Sequence, residues 1–324
     1  MGTTRTRAWL LDGNEIIVHR EEEFGARYSG QHGRPALCER LGGLCKSILD
    51  HPKHHDVREK PIFVIGAGMI TSAQGIQELQ HLPAPVGLAD LAANVDVRPF
   101  PAHEDLQLLL VPGVSTLAPD FPDGRAVLVD VMRGEETLCI GLILQGRLRA
   151  GDILITMGSH WKWIWIDESL RICRSRTSLT GELIHVTQDE TLLKNSLPRD
   201  RPKRLDDAWL RAGSECVKRE GLSRTLFLIR LLDQGGQTGQ DERLAFLYGA
   251  FVESEIEGIK RSNLLIESKR LLISGHEPVT RAFAHRLRAL GCEVELLTED
   301  ERDRAFLKGL REISHYINFE SKKL

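Results

Sequence analysis

No C-x-x-C pair occurs among the six cysteines, Cys38, Cys45, Cys139, Cys173, Cys216 and Cys292, which lie singly in apolar segments. In a chain of this size, such thiols are expected to be buried, free and in a reducing cytoplasm rather than in a disulfide framework. There is no excess of basic charge: 43 Lys and Arg stand against 46 Asp and Glu, for a net charge of −3. A basic face able to displace counterions from a nucleic acid is therefore not expected. No apolar run approaches the roughly 20 residues needed to span a bilayer, so a membrane role is not expected either. The N-terminus shows no charged head, apolar core and small-residue cleavage site, which argues against export. The glycine-bearing stretch DQGGQTGQDER (233–243) lacks the Gly-Lys-[Ser/Thr] of a P-loop and follows no apolar strand, so it reads as a loop. HPKHHD (51–56) carries three histidines but no H-E-x-x-H, and a solvated loop explains it better than a metal site. The segment Gly66–Gly75 does not match G-x-G-x-x-G with an acidic residue about 20 positions on, so a dinucleotide fingerprint is unsupported.

What is present is an alternation of short strands and helices. The length of 324 residues suits two domains. Asp12-Gly13-Asn14 between two apolar runs predicts a hairpin. Leu37, Leu41, Leu44 and Ile48 fall on one face of a helix over Pro35–Leu49. Strands are expected at Ile62–Ile65, in LQLLLVPGVST (106–116) before a Pro-Gly turn, and at Ala126–Val131, after which Gly134 opens a helix. GDILITMGSHWKWIWID (151–167) reads as strand, tight turn and strand. TSLTGELIHVTQ (177–188) then leads into a short helix. Leu205–Ile259 reads as helical apart from the glycine loop. The final stretch reads as strand, Ser-Gly turn, helix and strand, with a last helix through Arg311. Hairpins mixed with α/β alternation imply α/β with mixed sheets rather than one parallel sheet. FPDG (121–124) has turn composition and marks a domain boundary, giving domains 1–124 and 125–324.

Several motifs carry both a chemical and a plain structural reading. In GSHWKW (158–163), a glycine at a turn lets backbone N–H groups approach an anion, with Ser159 and Lys162 adding a hydroxyl and a charge. It equally suits a polar hairpin tip with Trp161, Trp163 and Trp165 on one alternating face. In MRGEET (132–137), Glu135 and Glu136 fall where a strand ends and a helix begins. Carboxylates stabilise a helix start regardless of chemistry. The same place, the carboxyl end of a strand, is where α/β proteins hold ligands. Adjacent helical residues project in different directions, so at most one of the two would face a substrate. SGHEPVTRAF (274–283) is either an efficient strand-to-helix connection or a close approach for a nucleoside. MGTTRTRAWL (1–10) matches an N-myristoylation pattern, an ordinary solvated terminus, or the second half of a phosphate-binding hairpin. No second membrane signal supports lipidation.

Taken in order, these segments resemble those of the sugar kinases of the actin–hexokinase–acetate kinase superfamily, and more narrowly the 2-dehydro-3-deoxygalactonokinase family. GTTRTRAWL is similar to the family's D-x-G-T-T/S-x-x-R-A-W-L, AGMITSAQG (67–75) to A-G-M-x-G-S-x-x-G, and VPGVST to its P-G-V turn. VMRGEET resembles a segment distinctive of the family, GSHWKW its G-T-H-x-K-W, LTGEL (179–183) its M-T-G-E-L, and SGHEPVTRAF its nucleotide-side motif. Ser159 replaces the usual Thr, Thr71 the usual Gly, and Ile76 the usual aromatic. The last two lie in the segment that faces the sugar in related kinases.

The resemblance implies two ribonuclease-H-like domains with mixed sheets and flanking helices, closing on ATP with Mg2+ and a small keto-deoxy sugar acid held in the cleft between them. The sugar and phosphate domain would come first and the nucleotide domain second. By the resemblance, Gly2, Thr3 and Thr4 would form one phosphate turn, and Gly158 and Ser159 the other. Ser274 and Gly275 would lie beneath adenosine. Glu135 would be the general base, with Glu136 as runner-up. The substrate carboxylate wants a basic partner, ideally a guanidinium, and Arg7, Arg133 and Lys162 are the candidates. The implied reaction is phosphorylation of the terminal O6 hydroxyl of 2-dehydro-3-deoxy-D-galactonate in galactonate catabolism. The oligomeric state is left open, a homodimer included. Met1 falls at the x position of the family's D-x-G-T-T/S, so its Asp, two residues before the glycine, has no residue here to match it. The metal ligand is therefore unassigned, and a catalytically impaired sugar-acid or nucleotide-binding protein of the same fold stands as the alternative.

Overall fold

A computed structural model describes residues 1–13, 15–51, 63–101, 103, 105–117, 129–262 and 270–317. The loop expected at HPKHHD (apart from His51), the turn at FPDG with its domain boundary, and the first half of the strand expected from Ala126 lie outside the described residues. The chain forms two compact units. One comprises Met1–Arg147, Leu170–Arg174 and Arg304–Leu324; the other comprises Leu148–Ser169 and Ser175–Asp303. Among the described residues no helix is long and apolar enough to cross a membrane.

In the first unit, β1 (Thr6–Asp12) and β2 (Glu15–Glu22) form the expected antiparallel hairpin around Gly13, whose φ of 55° suits a tight turn. Two helices follow, α1 (Ala26–His32) and α2 (Arg34–Leu49), separated by Gly33 at φ 87°. α2 has Pro35 in its first turn and buries Leu37, Leu41, Leu44 and Ile48, the face set by their spacing. α1 and a later helix, α3 (Leu88–Ala93), carry no such long periodicity and were not legible as helices.

β3 (Phe63–Gly66), β6 (Gln107–Leu110) and β5 (Asp96–Pro99) make a sheet in the order β3-β6-β5, with β3 parallel and β5 antiparallel to β6. A second set, β4 (Leu82–Pro83), β7 (Val114–Leu117) and β8 (Val129–Met132), delivers the chain to α4 (Glu135–Leu144). The last helix, α10 (Glu299–His315), runs one turn beyond the expected Arg311. Its middle packs on α4 so closely that a Cβ at Gly141 would lie 1.7 Å from the Ala305 carbonyl oxygen, and one at Gly309 would lie 2.1 Å from that of Thr137.

The second unit is built on one sheet in the order β11-β10-β9-β12-β13: β9 (Ile153–Met157), β10 (Trp161–Ile166), β11 (Ile172–Ser178), β12 (Leu271–Gly275) and β13 (Val294–Leu297). β9 and β10 are antiparallel, whereas β12 runs parallel to both β9 and β13. Trp161, Trp163 and Trp165 share one face and enter the core with Phe246, Phe251 and Phe283, as a two-residue alternation requires. The helices of this unit are α5 (Thr180–Asp189), α6 (Asp207–Glu220), α7 (Leu222–Gln234), α8 (Gln240–Arg261) and α9 (Glu277–Arg288). The expected helical stretch is thus broken twice. The glycine loop was foreseen; the break at Gly221, which ends α6 at φ 76°, was not. None of the six cysteines is in a disulfide. Their expected burial holds fully for Cys139 and Cys216 alone; Cys38, Cys45 and Cys292 are half-buried, and Cys173 is exposed. Cys173 follows the buried Ile172 on β11, and successive strand residues point to opposite faces.

Candidate active site

Three backbone segments meet in the first unit. The Met1 carbonyl accepts the Met69 N–H at 2.8 Å, and the N-terminal ammonium donates to the Ala67 carbonyl at 3.1 Å. Burial, with Arg7 nearby, pushes that ammonium down to about 5. Gly68, at φ 86°, lies between them, and a Cβ there would stand 2.5 Å from the Met1 oxygen. Gly134, at φ 105°, comes from the other side, with room of only 3.3 Å between a Cβ and the Gly68 Cα. Gly68 is therefore required twice over, by conformation and by space, and Gly134 by its conformation. The Gly2 and Thr3 carbonyls accept the N–H groups of Ala26 and Arg27 at 3.1 and 3.0 Å. This seats the GTT turn on the start of α1, where a Cβ at Gly25 would lie 2.4 Å from the Gly2 oxygen. Thr3 is half-buried and Thr4 exposed.

α4 begins at this junction. The two carboxylates have different surroundings, as the direction of adjacent helical residues requires. Glu136 is fully buried, and both of its oxygens accept the Gly134 N–H, at 2.7 and 2.8 Å. Burial and then the Glu135 charge push its carboxyl up to about 7, against the hydrogen bonds from the backbone and Thr137. Glu135 is half-buried, and its Oε2 accepts the Arg133 N–H at 3.2 Å. The Arg133 guanidinium donates from Nη1 to Thr71 Oγ1 at 3.0 Å and from Nη2 to the Leu79 carbonyl at 2.5 Å. Arg7, on β1, lies over the Trp9 ring at 5.6 Å.

The second unit brings its own candidates together. Gly158 and Ser159 form the tip between β9 and β10. Gly275 is paired with Met157, and Ser274 with Thr156, on the neighbouring β12. Gly275 has no room for a side chain, since a Cβ would lie 2.8 Å from Met157 Cβ. The LTGEL segment buttresses the tip: Glu182 N–H donates to the Ser159 carbonyl at 2.7 Å, and His160 Nε2 lies 3.4 Å from Glu182 Oε2. A Cβ at Gly181 would lie 2.0 Å from the Gly158 oxygen and 2.8 Å from that of Ser159. Gly181→Ala is therefore expected to displace the tip and to cost about 1–3 kcal/mol of stability, as overpacking does, which a lowered thermal midpoint would show. Lys162 is buried on the face opposite the tryptophans and donates to Thr177 Oγ1 at 2.8 Å. It shares a cross-strand register with Thr156, whereas Arg7 and Arg133 belong to the first unit.

Sequence reading missed Gly25, Gly68 and Gly181 as site-shaping positions. Gly68 and Gly181 sit in quoted motifs, but only the contacts reveal what each glycine makes room for. Among the described residues no three His, Cys, Asp or Glu side chains converge on a cation position.

Similarity to known proteins gives the family and the fold. The family description 2-keto-3-deoxy-galactonokinase matches residues 1–313. The 2-dehydro-3-deoxygalactonokinase of Escherichia coli K12 is 25% identical over 316 residues, covering 98% of this chain and 96% of that protein. A crystal structure from Sinorhizobium meliloti, provisionally assigned as a 2-dehydro-3-deoxygalactonokinase, superposes with a TM-score of 0.75 at 21% identity, covering 98% of this chain and 95% of that one. The activator of 2-hydroxyisocaproyl-CoA dehydratase from Clostridium difficile, solved with bound ADPNP, gives 0.50 at 12% identity over all of this chain and 95% of that one. The fold is thus the mixed α/β fold of actin-like ATPases and sugar kinases. With nearly its whole length matched, from the GTT turn to α10, the chain belongs to the 2-keto-3-deoxy-galactonokinase family of phosphotransferases.

Proposed function

We propose that the chain transfers the γ-phosphoryl group of ATP to O6 of 2-dehydro-3-deoxy-D-galactonate, in cytoplasmic galactonate catabolism. The observation that carries this reading is the junction at the start of α4. There a half-buried carboxylate, Glu135, accepts the Arg133 backbone N–H, and the Arg133 guanidinium is aimed by bonds to Thr71 and the Leu79 carbonyl. In the reaction the terminal hydroxyl oxygen attacks the γ-phosphorus, the bond to the β–γ bridging oxygen breaks, and ADP leaves with that electron pair. Such a transfer asks the protein to position, to spread charge and to accept one proton. Glu135 accepts the proton. Glu136 shapes the turn, because both of its oxygens are committed to the Gly134 N–H. Arg133 is the preferred partner of the substrate carboxylate over Arg7, which is stacked on Trp9, and Lys162, which is tied to Thr177.

The first unit serves the sugar acid and the second the nucleotide. Gly2, Thr3 and Thr4 line one phosphate turn; Gly158 and Ser159 line the other. A Cβ at Gly158 would meet only the His160 oxygen at 3.9 Å, so packing does not demand glycine there, whereas close approach of a phosphate does. Ser274 and Gly275 underlie adenosine. Magnesium would arrive with ATP. It commonly keeps waters and takes one or two carboxylates with substrate phosphates, and Glu135 is the half-buried carboxylate that would stand nearest such a role at the start of α4. The ion supplies charge neutralisation on the phosphates when bound. The test is ATP turnover with 2-dehydro-3-deoxy-D-galactonate and related acids. No turnover on any keto-deoxy sugar acid would sink the kinase reading.

A further inference from the structure

The segment that follows β3 folds back on itself around Thr71. Its backbone N–H donates to the Gly68 carbonyl at 3.1 Å, and its carbonyl accepts the Leu79 N–H at 3.0 Å. The hydroxyl has a fixed polarity. It donates to the Gly68 carbonyl at 3.0 Å, which uses its one proton, so the oxygen can only accept from Arg133 Nη1, also at 3.0 Å. Thr71 is fully buried. Its hydroxyl is therefore committed to these two partners.

The other anchor, from Nη2 to the Leu79 carbonyl, is joined to the first through the Thr71–Leu79 backbone bond. Arg133 is thus gripped by one hydroxyl and one carbonyl of the same small ring. The Glu136 and Glu78 carboxylates act on its charge, but among the described residues its Nε and the remaining terminal N–H groups have no hydrogen-bond acceptor. A guanidinium held on one side presents a flat fork of donors on the other, and that fork matches a carboxylate. Gly68 sets the direction of the carbonyl that orients Thr71, and its left-handed φ is the conformation that aims it.

We propose that Thr71 is a positioning residue for substrate selection: its hydroxyl, polarised by the Gly68 carbonyl, holds the Arg133 fork in the orientation that receives the carboxylate of the sugar acid. This rests on the assignment of Arg133 to that carboxylate. It makes the preference for an acid over the matching neutral sugar a property of one buried hydroxyl that touches no substrate itself.

The experiment is a kinetic comparison of Thr71→Val, which keeps shape and removes the acceptor, with Thr71→Ser, which keeps the hydroxyl. Thr71→Val is expected to raise the KM for the sugar acid roughly tenfold or more, the worth of a hydrogen bond to a charged group. Its kcat and KM for ATP should move less than about threefold, and Thr71→Ser should restore the KM. A neutral sugar of the same chain length should lose nothing, so the acid-to-neutral ratio of kcat/KM falls. In an Arg133→Lys background, Thr71→Val should add no further loss, as coupling through Arg133 demands. An unchanged KM for the acid, a loss spread equally over ATP and acid, or full additivity with Arg133→Lys would each overturn the proposal. Should Thr71→Val not fold, the Ser variant and Thr71→Ala carry the same comparison. Calorimetric binding of the acid without ATP separates the two readings. If the unaltered chain binds the acid but does not turn it over, the kinase reading fails, and the change in Kd on Thr71→Val still decides the role of Thr71. If it does neither, both fail.

Discussion

Glu135→Gln is expected to lower kcat by about two to four orders of magnitude, the range ascribed to a positioned general base, while leaving the thermal midpoint close to that of the unaltered chain. The amide keeps the shape of the side chain and an oxygen for the Arg133 N–H, now 3.2 Å from Glu135 Oε2, but it cannot take the proton. Glu135 is half-buried at the first residue of α4, so its replacement opens no cavity. Glu136→Gln should behave in the opposite way, with modest kinetic effect and a pH-dependent effect on stability. Its carboxyl is held at about 7 in the folded chain, above the ordinary value of 4.5. A folded pKa raised above the unfolded one contributes stability below about 4.5 that is lost as pH rises through about 7. The amide has no proton to lose. The stability of Glu136→Gln relative to the unaltered chain should therefore rise between about pH 4.5 and 7, by about 3 kcal/mol for a shift of this size. Denaturant midpoints measured across that range would show it. Near-full turnover in Glu135→Gln with loss in Glu136→Gln would exchange the two roles.

Gly141→Val is expected to cost about 3 kcal/mol or more, at the upper end of what overpacking does, and to take activity with it. The added Cβ would fall 1.7 Å from the Ala305 carbonyl oxygen and 2.5 Å from its carbon. Both are backbone atoms of a helix, so no rotamer change relieves the clash. The reciprocal contact, Gly309 against the Thr137 carbonyl, lies on the same interface, and α4 and α10 can only separate as rigid rods. α4 carries Glu135 and Glu136 at its start, so a shift along its length moves the carboxylates out of register with Gly68 and Arg133. Such displacements lower the rate steeply when reacting groups must align. A lowered thermal midpoint together with a fall in kcat is the expected result. A normal midpoint with normal kcat would mean that the crossing does not hold the site.

Local order was legible where a pattern repeats within one element. The Asp12-Gly13 turn, the four-residue face of α2, the tryptophan alternation on β10 and Pro278 at the start of α9 are each dictated by a few adjacent residues. Short elements escaped: α1 and α3 span too few turns to show a period, and the break at Gly221 looks in sequence like any glycine between helical runs. The burial of cysteines was overcalled at Cys173, where composition argued one way and strand alternation another.

The candidate site divides along the same line. Its candidate glycines, carboxylates and basic residues come from GTTRTRAWL, MRGEET, GSHWKW and SGHEP, because the motifs put them at strand ends and helix starts. Their division of labour does not. Glu135 and Glu136 are adjacent and chemically identical, and only packing buries one against the Gly134 N–H and leaves the other accessible. Arg7, Arg133 and Lys162 were equal candidates until Trp9, Thr71 and Thr177 claimed one each. What the sequence by itself determined is the family, the order of the longer elements and the set of residue types at the turns, since these depend on local spacing. What only the tertiary structure decided is which of those residues is desolvated, which is held and which remains accessible. Burial and hydrogen-bond partners are supplied by residues some 60 positions away, such as Thr71 for Arg133.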